Sequence, residues 1–183
     1  MKWFIASDIH GSAYYCEQMI RQFRQELADR MILLGDILYH GPRNDLPEDY
    51  APKKVIEQLS AYAHEIVCVR GNCEAEVDQM VLPFPVLAEY ALMDLGNRLL
   101  FMTHGHLYNE NHLPPLHEGD ILLHGHTHIP VCKEKEGIMI LNPGSVAIPK
   151  DNSWHGYMTF ENNIFSWKDL DGNKKMDWKL DER

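Results

Sequence analysis

Seven residues able to bind a divalent cation stand just past the ends of short apolar runs. Asp8 and His10 follow WFIA, Asp36 follows MILL, Asn72 follows IVCV, His104 follows LLFM, and His126 and His128 follow ILL. The set holds carboxylates, imidazoles and one amide, and needs no thiolate. Mixed oxygen and nitrogen donors suit Mn²⁺, Fe²⁺, Zn²⁺, Co²⁺ or Ni²⁺ better than Ca²⁺ or a structural zinc cage. Seven donors exceed what one ion needs. Two ions about 3.5–4 Å apart can share a carboxylate, activate water and clamp the oxygens of a displaced phosphoryl group. Asp36, central in the set, is assigned as the shared carboxylate. The alternative, aspartates and histidines that merely cap strands and turns, has to explain all seven at once.

Spacing supports the first reading. In extended chain, residues two apart point to the same side, so Asp8-x-His10 and His126-x-His128 are each expected to deliver two donors together. Gly11, Gly35, Gly71, Gly105 and Gly125 adjoin the candidates, where a backbone turning sharply beside a metal and a phosphate often needs positive φ or no Cβ.

The elements that must position these residues are legible from periodicity. Each apolar run reads as a buried strand. Between the first three lie helical patterns over 12–28, with Ser12 as N-cap, and over 52–63, with Pro52 in the first turn. Strand and helix alternating in this way indicate parallel βαβ units, which place ligands at the carboxyl ends of their strands. After about Pro85 the pattern changes to hairpins, with turns at Gly96-Asn97, Gly137, Asn162-Asn163 and Asp171-Gly172-Asn173. They predict a second, largely antiparallel sheet packed on the first. The Pro- and Gly-rich segment 35–52 reads as an irregular loop bordering the site. Arg43 within it could clamp phosphate, since a guanidinium offers paired planar donors; a solvated loop arginine is the plain alternative.

The 183 residues suit one domain, 1–183. No apolar run approaches the roughly 20 residues of a membrane helix, and the N-terminus lacks a signal-peptide core because Asp8 interrupts it. Four cysteines without a CxxC pair fit free thiols in a reducing cytosol, so a cytoplasmic location is expected. A net charge of -10 argues against a broad basic face for long nucleic acids. Trp167 and Trp178 could mark a face for homo-oligomer formation or pack inward. Gln79, Met80, Val81 and Leu82 read as core or interface.

The ordered set D-x-H, G-D, G-N, H-G and G-H-x-H resembles the calcineurin-like metallophosphoesterase superfamily. Within it, "SDIHGS", "LGDILYHGPRN", "VRGNCEAEVDQM", "THGHL", "GHTHIP" and "NPGSVAIPK" are similar to the bacterial YfcE-type phosphodiesterases, over residues 1 to about 150. The resemblance implies an α/β fold, a four-layer αββα sandwich of two mixed β-sheets flanked by helices. It also implies a dinuclear site, with Asp8, His10, Asp36 and His128 on one ion and Asp36, Asn72, His104 and His126 on the other. The implied reaction is hydrolysis of a small phosphodiester by in-line attack of a metal-bound hydroxide, with Mn²⁺ the usual activating ion. A phosphomonoesterase, a protein phosphatase or a protein-binding scaffold of the same fold, like the retromer coat subunit, are the competing readings.

One position departs from the pattern. Where the superfamily carries Gly-Asn-His and an acidic residue, this chain has Gly71-Asn72-Cys73-Glu74. The usual histidine serves the leaving oxygen as a donor, and a thiol or thiolate replaces it poorly. The expectation is a preference for acidic leaving groups; the rival is that Cys73 is a buried thiol chosen for size, and direct metal ligation or redox sensitivity is a third reading. His106 and His124 could touch phosphate or support the ligands, or simply hydrogen-bond at strand ends. Asn142 to Ser145 is expected to pack near the cleft without chemistry.

Overall fold

The computed structural model describes residues 1–181. Its elements are β1 (Trp3–Ala6), α1 (Ala13–Gln25), β2 (Arg30–Leu33), α2 (Pro52–Ser60), β3 (Ile66–Cys68), α3 (Glu76–Val81), β4 (Tyr90–Asp94), β5 (Leu99–Thr103), β6 (Ile121–Leu123), β7 (Pro130–Lys135), β8 (Ile138–Pro143), β9 (Gly156–Glu161), β10 (Ile164–Asp169) and β11 (Lys174–Lys179). Two mixed sheets face each other, one of six strands in the order β11-β10-β9-β1-β2-β3 and one of five in the order β4-β5-β6-β8-β7.

The period-2 alternation of the strands separates three cores. Phe4, Ala6, Met31 and Leu33 point outward from the first sheet and are covered by α1 and α2, through Cys16, Met19, Ile20, Val55 and Leu59. Ile5, Ile32, Leu100, Met102, Leu123, Met158 and Trp167 fill the space between the sheets. On the outer face of the second sheet, Phe101, Leu122, Ile138 and Ile140 are covered by Tyr108, Leu113 and Leu116. This fourth layer is the irregular segment 105–119, not a helix. Ser12 caps α1 as expected, its hydroxyl accepting from the Tyr15 N–H at 3.2 Å, and Pro52 opens α2.

The tail does not join the second sheet. β9 pairs antiparallel with β1, Trp3 opposite Phe160, and β10 and β11 extend the first sheet from there. The second sheet is correspondingly less antiparallel than its hairpins suggested, because β6 runs parallel to both β5 and β8. Hairpin periodicity specifies which strands are neighbours in sequence but not which free edge they extend. Here β1 offers that edge, and Tyr157 of β9 stacks on Phe4 at 4.4 Å while Met158 enters the inter-sheet core. Trp167 is fully buried there, its indole N–H donating to the Asn142 carbonyl at 2.6 Å, and Trp178 packs against the same core. Both therefore point inward.

The short helix α3 was not anticipated from the sequence. Its Val77 and Met80 are exposed, whereas Leu82 just beyond it is buried. Gln79 is half-buried, and its amide donates to the Phe84 carbonyl at 2.9 Å and accepts from the Val86 N–H at 3.0 Å, tying the segment that returns to the second sheet.

Candidate metal centre

The ends of β1, β2, β3, β5 and β6 open on one side of the sandwich, and the loops that leave them carry all seven predicted residues. The backbone there is not extended. Asp8, His10, Asp36, His126 and His128 have φ of 60°, 50°, 55°, 65° and 62°, the left-handed region that non-glycine residues seldom adopt. Such strain persists where the surroundings over-determine it, and it gathers at functional sites. The two-apart spacing thus works by successive tight turns instead of by extended chain. His126 and His128 accordingly reach different groups of donors, and Thr127 between them lines the cleft.

Hydrogen bonds hold these turns. The N–H groups of Asp8 and His10 donate to the carbonyls of Gly35 and Asp36 at 3.1 and 2.9 Å, so the two loops stay paired beyond their strands. Ser7 Oγ and the His126 N–H both donate to Asp8 Oδ2, at 2.6 and 3.0 Å. A Cβ at Gly35, where φ is +92°, would run into the backbone of Gly71, and one at Gly125 into the Ser7 hydroxyl. Asn142 is part of the same scaffold, its amide donating to the Gly125 carbonyl at 2.8 Å and to Thr127 Oγ1 at 3.1 Å.

Glu74, the acidic residue after Cys73, supports the Asp36 turn. Its buried carboxylate accepts from the N–H groups of Asp36, Ile37 and Gly71 at 2.9, 2.7 and 2.5 Å. It fixes the Asp36 turn against the Gly71 turn.

The donors converge in two groups joined through Asp36. Asp8, His10 and His128 form one, Asp36, His104 and His126 the other, and Asp36 also gathers with His10 and Cys73. Asp36 Oδ2 lies 3.7 Å from His10 Nε2 and 3.4 Å from His104 Nε2. Asn72 Oδ1 is 3.1 Å from His104 Nε2, which places the amide in the second group.

Ring orientation tests whether these residues suit a metal. Nδ1 of His10, His104 and His128 lies 2.8, 2.7 and 2.6 Å from the carbonyls of Tyr39, Leu34 and Ile148. Each Nδ1–H donates outward, and Nε2 is aimed inward, the usual arrangement of a metal-binding histidine. Inside, His10 Nε2 meets His128 Nε2 at 3.2 Å, and His104 Nε2 meets His126 Nδ1 at 3.1 Å. His10 and His128 both spend their Nδ1 protons on backbone carbonyls, so their facing Nε2 atoms need a proton or a cation between or beside them. Asp8 Oδ1 is buried without a hydrogen-bond partner among the described residues, 3.3 Å from His128 Nε2. The donor set fits divalent metal ions on both counts.

Charge follows from the same packing. Burial opposes ionisation of Asp8, but His10 and His128 hold its carboxyl well below the usual range; burial likewise opposes ionisation of Asp36, and His104 holds it down. Burial works against an imidazolium at His104, yet Asp36 and Asp8 raise its pKa to about 9. Burial and then the positive His104 lower His126 to about 4. In the metal-free protein the proton between them therefore sits on His104. Burial and then the charge of Asp36 push the Cys73 thiol up, so it stays protonated, with Sγ 3.2 Å from Asp36 Oδ2.

A cleft of about 400 Å³ opens over this centre. Arg43 and Asn44 from the 35–52 loop line it, as does Lys150, which sequence reasoning missed although it ends the "NPGSVAIPK" stretch. His106 lies outside the donor groups, its ring 5.5 Å from that of His104 and its buried Nδ1 without a partner among the described residues. His124 is buried and bonds the Gly125 carbonyl at 3.0 Å.

Residues 1–163 match the model of the calcineurin-like phosphoesterase superfamily domain. The chain belongs to that superfamily. Over 166 residues it is 48% identical to phosphodiesterase YfcE of Escherichia coli K12, covering 91% of this chain and 90% of YfcE. The solved structure of YfcE, described as a phosphoesterase, superposes with a TM-score of 0.95 at 44% identity, over 99% of this chain and all of that one. The Zn²⁺ complex of Vps29 from Entamoeba histolytica has a TM-score of 0.61 at 19% identity, over 99% and 100% of the two chains, and shares the fold. As a calcineurin-like phosphoesterase the chain is a metal-dependent enzyme, and the groups around Asp36 are its candidate metal ligands.

Proposed function

We propose that the protein is a cytosolic phosphodiesterase whose single domain holds two divalent metal ions, Mn²⁺ foremost. Asp8, His10, Asp36 and His128 hold one ion; Asp36, Asn72, His104 and His126 hold the other. The observation that carries this reading is the place of Asp36 between two groups of donors, its Oδ2 3.7 Å from His10 Nε2 in one and 3.4 Å from His104 Nε2 in the other, with ring nitrogens facing each other within each group. The similarity to phosphodiesterase YfcE supports the diester as substrate. The complete donor set counts against a pure scaffold, and the four free cysteines fit a reducing compartment. No helix among the described residues is long and apolar enough to cross a membrane.

When bound, such a metal pair supplies an activated water and neutralises charge on the phosphoryl oxygens. The protein does the rest. The Nδ1 bonds to Tyr39, Leu34 and Ile148 hold the donor rings in place, so little reorganisation accompanies reaction. Arg43, at the mouth of the cleft, orients the phosphate as a planar paired donor. Cys73 occupies the position of a leaving-group donor, but its thiol is a weak one and already points at Asp36. The departing oxygen thus takes its proton from solvent, and diesters with acidic leaving groups react best.

Metal-stripped protein reconstituted with Mn²⁺, Ni²⁺, Co²⁺, Zn²⁺ or Mg²⁺ and assayed on bis(p-nitrophenyl) phosphate and p-nitrophenyl phosphate tests the reading. Diester turnover should exceed monoester turnover and collapse in Asp36→Asn and His104→Ala. Monoester preference would reassign the enzyme, and no hydrolysis with any ion would favour the scaffold. A leaving-group series tests Cys73 separately: a rate that barely depends on leaving-group pKa would sink the proposed preference.

A further inference from the structure

Two cations line the cleft over the metal centre, and they stand on different loops. Arg43 belongs to the 35–52 loop, which approaches Cys73: a Cβ at Gly41 would lie 3.6 Å from Cys73 Sγ. Lys150 follows β8 and lies on the side of His128. Lys2, Lys54, Lys133, Lys168, Lys174 and Lys175 all pair with carboxylates, whereas the Lys150 side chain makes no hydrogen bond or ion pair among the described residues. Apart from Asp36, no carboxylate among the described residues lines the cleft. In a chain of net charge -10, a lysine left without a carboxylate beside a phosphate site is available to an anionic guest.

The Lys150 stem springs from a segment fixed to the donors. The Lys150 N–H donates to the His128 carbonyl at 3.2 Å, and the Ile148 carbonyl accepts from His128 Nδ1–H at 2.6 Å, so one ligand is gripped at its backbone and at its ring. Ser145 Oγ donates to the Asp8 carbonyl at 2.9 Å and accepts from the Ile148 N–H at 2.8 Å, which ties the same segment to a second ligand. Pro149 restricts φ between Ile148 and Lys150, and the Lys150 carbonyl accepts from the Ser153 N–H at 3.0 Å. Thr127, also lining the cleft beside His128, offers a second donor. Its Oγ1 accepts from Asn142 Nδ2 at 3.1 Å and from the Ile129 N–H at 3.4 Å, and its hydroxyl proton has no acceptor among the described residues.

We propose that Lys150 is a substrate-binding residue, its ammonium holding a phosphate oxygen from the His128 side of the cleft while Arg43 holds the phosphate from the Cys73 side. The inference rests on the phosphodiesterase reading and adds a second cation to the same site. A diester phosphate has two non-bridging oxygens, so it can be gripped from two sides at once. The two cations do different things there. A guanidinium fixes the plane of its partner through paired donors, whereas an ammonium on a four-carbon stem acts as a point charge. Lys150 therefore captures the anion more than it orients it, and its contribution falls on KM and on the salt dependence of capture.

The test compares the metal-loaded parent enzyme with Lys150→Met, which keeps the apolar stem, and Lys150→Arg, which keeps the charge. One charge-assisted hydrogen bond is worth roughly tenfold, so Lys150→Met should lower kcat/KM for bis(p-nitrophenyl) phosphate by about that factor, chiefly through KM. Binding of inorganic phosphate, read by calorimetry, should weaken to the same extent, with metal content and Tm unchanged. Lys150→Arg should retain most of both. Added salt should lower kcat/KM of the parent more steeply than that of Lys150→Met. Unchanged kinetics and phosphate binding in Lys150→Met, or an equal loss in Lys150→Arg, would overturn the assignment while leaving the phosphodiesterase reading intact. If the parent hydrolyses no diester with any divalent ion, the phosphodiesterase reading falls, and the phosphate titration alone decides whether Lys150 binds the anion.

Discussion

Replacing Glu74 by alanine is the sharpest probe of how this centre is held. The substitution removes the acceptor for the N–H groups of Asp36, Ile37 and Gly71, all in buried surroundings. An unpaired buried donor costs about 1–3 kcal/mol, so three give roughly 3–9 kcal/mol before relaxation. Two effects reduce this. Burial and the charge of Asp36 raise the pKa of Glu74, so the ionised carboxylate is itself held at some cost that alanine relieves, and water can enter the vacated space. A net loss of about 3 kcal/mol is expected, which for a chain of this size lowers Tm by roughly 6–12 °C. The Asp36 turn, at φ 55°, should then relax, and metal affinity should fall by tenfold or more because Asp36 serves both groups of donors. Urea unfolding of the metal-free protein measures the first effect and metal titration the second. A loss below about 1 kcal/mol together with unchanged metal affinity would refute the view that Glu74 positions Asp36.

Three further outcomes follow from other parts of the structure. His104 is raised to about 9 from an ordinary 6.5, so its imidazolium stabilises the metal-free protein fully below pH 6.5 and that contribution is lost as pH rises through 9. His126, lowered to about 4, costs stability as pH falls from 6.5 through 4. Stability of the stripped protein should thus peak near pH 6.5, and metal affinity should rise up to tenfold per pH unit from 6.5 to 9 with a proton released per ion; calorimetry in buffers of different ionisation enthalpy reads this, and a flat profile contradicts it. Arg43→Ala should reduce kcat/KM for a diester by roughly 10- to 100-fold, chiefly through KM, and unchanged kinetics would remove the clamp. Trp167→Ala, which empties the inter-sheet core and orphans the Asn142 carbonyl, should cost about 3–5 kcal/mol in denaturant unfolding, whereas an exposed position such as Met80→Ala should change stability by less than about 0.5 kcal/mol.

The sequence by itself picked out the candidate donors and the elements that carry them. Asp8, His10, Asp36, Asn72, His104, His126 and His128 each follow an apolar run, and because a buried strand needs such a run and a ligand needs its end, both are visible as linear pattern. Only the tertiary structure decided how the donors meet. Asp8, His10, Asp36, His126 and His128 turn in the left-handed region, and Glu74, Asn142 and Ser145 hold these loops through contacts 17 to 137 residues apart, which no local spacing encodes. The same holds for the tail, whose hairpins were legible but whose attachment to β1 was not. A hairpin's alternation reports that it has one buried face; which sheet it buries that face against depends on the free edge and the shape of the core, quantities that exist only once the chain has folded.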